Sequence, residues 1–108
     1  MNRAPYTVLI VPGLRDHGPD HWQTLLAQRL ERVRTVPPMG RDSIDLAPRI
    51  EAIERAAVEI EGQLILVAHS AGAVMAAHWA AHTRRPVLGA LLATPPDLDW
   101  PLPDGYPT

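Results

Sequence analysis

The chain has 108 residues, 46% of them apolar, which is enough for one globular domain with a modest core. Its 10 basic residues are all arginines, set against 12 acids for a net charge of −2. With no basic cluster larger than Arg84-Arg85, a nucleic-acid surface is not expected. Cysteine is absent, which excludes disulfides, thiolate metal sites and a cysteine nucleophile.

Tyr6 to Val11 reads as a short β-branched strand stopped by Pro12-Gly13. The run is too short for a signal-peptide core or a membrane span, so a soluble, cytoplasmic protein with no membrane partner is expected. After a loop from Leu14 to Gly18, Pro19 and Asp20 suit the opening of a helix. One face of that helix would carry Trp22, Leu25, Leu26, Leu30 and Val33. Thr35-Val36, before Pro37-Pro38, reads as a short strand. Asp45 is the expected N-cap of a second helix, with Pro48 tolerated in its first turn. Ile50, Ile53, Ala57 and Ile60 form its buried stripe, Glu51 and Arg55 are spaced to pair, and Gly62 is expected to end it. A strand through Leu64 to Ala68, a helix over about Ala71 to His82 and a strand over Leu88 to Ala93 follow. From Thr94 onward Pro95, Pro96, Pro101, Pro103 and Pro107 predict a surface loop or tail.

Continuous apolar strands alternating with helices predict an α/β fold, a parallel sheet covered on both faces. Right-handed crossovers would set the first strand beside the one leading to Ser70, with their C-terminal ends together. Ligands of open α/β sheets bind at that end, so Pro12 to His17 and Ser70 should line one crevice.

Between the apolar run ending at Ala68 and the small, Ala-rich stretch after Gly72 lies small-x-Ser-x-Gly, the pattern of a nucleophile elbow. A serine on so sharp a strand-to-helix turn needs small neighbours two residues away on each side. Ala68 and Gly72 meet that demand, although glycine is usual at the first place. Such a serine attacks an acyl carbon once a base takes its proton. The developing oxyanion would be met by the backbone N–H groups of Ala71 and of Leu14 in the loop after the first strand. His69 should point away from the reaction and serve packing or a hydrogen bond. His17 is the best internal candidate for a base, but no carboxylate is evident to orient it. Trp22 and Trp79 are expected in the core. The pairs His17/His21 and His78/His82 have a zinc-compatible spacing without a third ligand, so no metal and no other cofactor is expected.

Five motifs carry a resemblance: Val-Pro-Gly at 11–13, Gly-Pro-Asp-His-Trp at 18–22, Val-Ala-His-Ser-Ala-Gly at 67–72, Ala-His-Trp-Ala at 77–80 and Ala-Thr-Pro-Pro-Asp at 93–97. Together they resemble the small α/β-hydrolases related to the retinoblastoma-binding serine hydrolase and bacterial YdeN, over essentially the whole chain. The resemblance implies a compact, lidless α/β-hydrolase domain, a three-layer sandwich, with esterase- or peptidase-like activity on a small-molecule ester or amide. It also implies catalytic Ser, Asp and His in that order, the last two beyond position 108. Asp97 could serve as a triad acid, but a loop-capping role is the plainer expectation, and no histidine follows it. The 108 residues are therefore expected to be the N-terminal half to two-thirds of such a protein, inactive alone for want of a base. Leu88 to Ala93 would then be an exposed apolar edge, open to a homodimer or another chain.

Overall fold

The computed structural model describes residues 6–13, 21–37 and 46–93. In chain order they form β1 (Tyr6–Val11), α1 (Trp22–Arg29), β2 (Val33–Thr35), α2 (Leu46–Val58), β3 (Gln63–His69), α3 (Ala71–His82) and β4 (Gly89–Ala93). The strands make one parallel sheet in the order β2-β1-β3-β4, with Val11 opposite Ala68 and Ile10 opposite Val67. The strand order reverses at β1. Right-handed connections therefore send α1 over one face and α2 and α3 over the other.

Strand alternation feeds both faces. Leu9, Val11, Leu64, Leu66 and Ala68 pack with Ile53, Ala57, Met75 and Trp79 in the larger core. Val8, Ile10 and Val67 face the other way, where Leu26, Ala27, Leu30 and Val33 are half-buried against them. This is the expected α/β architecture, with the strand leading to Ser70 beside the first.

Several local expectations are corrected. The described part of α1 begins at Trp22, with His21 as its N-cap; Pro19 and Asp20 lie outside the described residues. The helix stops at Arg29, where Leu30 turns extended, so Val33 belongs to β2 and not to a helical face. The reason is sheet geometry. Val33 must sit beside Val8, and Val36 N–H must reach Ile10 O, at 2.9 Å, for β2 to run parallel to β1. The short strand is thus Val33–Thr35, and Val36 is buried just past it.

The Ile53, Ala57 and Ile60 stripe is buried, Ile50 is half-buried, and Glu51 pairs with Arg55. Gly62 does not end α2, which closes at Val58; its φ of 85° turns the chain into β3. What caps α2 is Arg85, whose guanidinium donates to Ala57 O, Ile60 O and Gly62 O at 2.8, 2.7 and 2.8 Å. Ala57 O also accepts Ile60 N–H at 3.0 Å, so Arg85 adds a cation favoured by the helix dipole and donors for the turn carbonyls just past the helix end. The expected Asp45 cap and the tail from Thr94 lie outside the described residues.

Candidate active site

The strand order reverses between β1 and β3, and Ser70 follows the C-terminal end of β3, next to the end of β1. Its backbone has φ 56° and ψ −126°, and among the described residues no other non-glycine has a positive φ. Such a conformation costs on the order of 1–3 kcal/mol and persists only where neighbours impose it. Two hydrogen bonds do so here. Ser70 N–H donates to Ala93 O at the end of β4, at 2.9 Å, and Ala73 N–H donates to Ser70 O, also at 2.9 Å. Ser70 occupies the N-cap position of α3, yet its hydroxyl makes no capping bond. An ordinary N-cap serine has extended dihedrals and spends its oxygen on the helix N–H groups. This one makes no such bond and is half-buried.

Gly72 has a further reason to be small besides the one its spacing suggests. A Cβ on Gly72 would lie 2.4 Å from Pro12 O and 2.6 Å from Val11 O. The end of β1 pressing on α3 is therefore by itself enough to require glycine at 72. Ala68 is fully buried within the sheet. Gly13 is also close, since a Cβ there would meet His69 O at 3.3 Å and Ser70 Cβ at 3.4 Å. The described start of the post-β1 loop thus touches the serine turn, as topology predicted. Ala71, buried and first in α3, has no carbonyl four residues back within the helix to receive its N–H. Leu14 and His17 lie outside the described residues.

On the α1 side the end of β3 meets polar and aromatic groups. Trp22 Nε1–H donates to His69 Nδ1 at 3.3 Å, and the His21 ring meets His69 edge-on at 4.8 Å between centroids. His69 therefore packs and accepts a hydrogen bond. His21 Nδ1 in turn accepts Gln23 N–H at 3.1 Å, capping α1. Trp22 is not a core residue, being 36% exposed on the rim, whereas Trp79 is buried as expected. The residue that α1 does bury completely is Gln23. No motif pointed to it; the only available signal was a polar residue inside the Asp-His-Trp-Gln run that opens the helix.

Past the end of β1 a narrow cleft is lined by Pro12, Gly13, Pro37, Arg49 and Met75, and Ser70 is not among its lining residues. Burial pushes the Arg49 guanidinium below its ordinary pKa, though not far enough to discharge an arginine at neutral pH. His82 Nδ1 is 2.9 Å from His78 O, so that pair is engaged within α3. Among the described residues no group of three His, Cys, Asp or Glu side chains could hold a metal ion. Nor is any described helix long and apolar enough to cross a membrane.

Residues 8–105 match the serine hydrolase family. The crystal structure of a YdeN-like hydrolase from Pectobacterium atrosepticum superposes with a TM-score of 0.78 at 29% sequence identity. The match covers 85% of this chain and 50% of that one, so the chain spans about half the length of that hydrolase. No curated protein matches the sequence.

Proposed function

This chain belongs to the serine hydrolase family, and on that premise we propose that Ser70 is the nucleophile of an ester or amide hydrolase acting through an acyl-enzyme. The observation that carries the reading is the left-handed backbone of Ser70 with its hydroxyl withheld from the helix it caps. Oγ gives its proton to a base and bonds the acyl carbon, and the carbonyl electrons move to oxygen. The oxyanion sits against the Ala71 and Leu14 N–H groups at the positive end of α3. When the carbon–leaving-group bond breaks, the departing alcohol or amine takes up the proton. Water, deprotonated in the same way, then releases the acid and restores Ser70. None of the described histidines is assigned the base: His69 holds Trp22, His21 caps α1, and His78 and His82 lie along α3. On this reading the acid and base of the triad are not among the 108 residues, and the isolated chain turns over little or no ester.

Prolonged labelling with a fluorophosphonate at alkaline pH tests the reading without knowledge of the substrate, the alkali standing in for the base that the 108 residues lack. A slowly formed covalent adduct at Ser70, lost in Ser70→Ala, is expected. An adduct equally abundant in Ser70→Ala, or a Ser70 no more reactive than Ser43, removes Ser70 from the role.

One observation favours a second reading, in which the chain works as an associating module. Among the described residues β4 is an edge strand with Leu91 55% and Leu92 43% exposed, and no charge or proline interrupts Gly89–Ala93. Natural sheet edges are usually short or charged to prevent pairing. A homodimer through β4 would appear in sedimentation and be lost in Leu91→Arg; a monomer at high micromolar concentration removes this reading.

A further inference from the structure

Gln23 has no place in the chemistry above, yet it is fully buried between α1 and the sheet. Its amide Nε2 donates to Val11 O and to Val67 O, each at 3.2 Å. Both acceptors are carbonyls, so the NH₂ end of the amide must face them. Val11 ends β1 and leads into Pro12-Gly13, which presses on Gly72 and Ser70. Val67 lies three residues before Ser70 on β3. One side chain therefore adds a second tie between the ends of β1 and β3, which already pair through their backbones at Val11 and Ala68. The neighbouring residue repeats the link, with Trp22 bound to His69 immediately before the serine.

We infer that Gln23 is a positioning residue, a bridge that fixes the end of β1 against β3 so that Ser70 Oγ and the Ala71 N–H face one point. The inference rests on the nucleophile reading of Ser70. Glutamine suits the place for a chemical reason. Two carbonyl oxygens need two donors from one rigid group, and a carboxylate of the same shape would repel both. Catalytic geometry is steep in distance, a misplacement of about 1 Å being able to cost about 10²-fold in rate.

The test compares Gln23→Leu and Gln23→Glu with the wild-type 108-residue chain, reading two quantities. The first is the rate of fluorophosphonate labelling at Ser70, measured well below each variant's melting temperature. Folded Gln23→Leu should label roughly 10- to 100-fold more slowly. Labelling at the wild-type rate would overturn the inference. The second is the position of the Gly13, Ser70, Ala71 and Gly72 amide resonances, which does not depend on any chemistry. In Gln23→Glu these should be displaced while the side chain is ionised and return part-way toward wild type as acid protonates it, because a neutral carboxyl supplies one of the two donors. A merely space-filling side chain gives no such return, and its absence would overturn the inference. If Gln23→Leu does not fold, Gln23→Glu across pH decides alone. If the wild-type chain itself is not labelled, the nucleophile reading fails, and the bridge stands or falls on the resonances.

Discussion

The two faces of the sheet are packed by different chemistry. Under α2 and α3 the contact is almost wholly apolar, built on Leu9, Leu64, Leu66, Ile53 and Trp79. Under α1 the apolar patch is small, and the helix reaches the strand ends through Gln23, Trp22 and His21. Apolar burial is non-directional and scales with area, so the first face supplies stability. Hydrogen bonds are directional and contribute little net free energy each, but they fix where atoms lie. On the bridge proposed above, the α1 face is the one that aims the site.

Substitutions can break that division. Trp79→Ala, on the apolar face, should lose about 3–5 kcal/mol in urea unfolding. Half-buried Leu26→Ala on the α1 face should lose only about 1 kcal/mol; equal losses would end the distinction. Gly72→Ala brings a Cβ to 2.4 Å from Pro12 O. It should cost about 1–3 kcal/mol, as overpacking does, and Gly72→Leu should cost more. An unchanged melting temperature in both would show that β1 and α3 are not in contact.

Gln23→Leu sharpens the comparison from the other side. It leaves two carbonyls without their shared donor, an expected loss of about 1–3 kcal/mol, and slows Ser70 labelling by more than the stability change explains. Trp22→Phe keeps the ring and removes the bond to His69. It should cost under about 1 kcal/mol and leave the urea slope unchanged. Smallest of all is Arg55→Ala at the exposed pair with Glu51, about 0.2–0.5 kcal/mol and fading with salt.

Much of the architecture was legible before any coordinates, because it rests on short-range signals. Apolar runs bounded by Pro12-Gly13 and by Ser70 announce strands, and the Ile53, Ala57 and Ile60 spacing announces a helix face. The small-x-Ser-x-Gly turn likewise identified Ser70 as the candidate nucleophile. Where the reading slipped, a distant partner had overruled a local cue. Val33 continues a plausible helical stripe, but parallel pairing with Val8 takes it into β2. Gly62 looks like a helix stop, yet α2 is closed by Arg85 from the other side of α3 in sequence.

Local propensity and periodicity are properties of a few adjacent residues, so the sequence by itself determined the alternation of strands and helices, the parallel sheet and the serine turn. Tertiary structure alone decided the rest: that Gly72 is small because of Pro12, that Trp22 stands on the rim, and that Gln23 joins β1 to β3. Each depends on groups brought together only when strands distant in sequence become neighbours. No spacing along the chain encodes where a buried amide will find its two carbonyls.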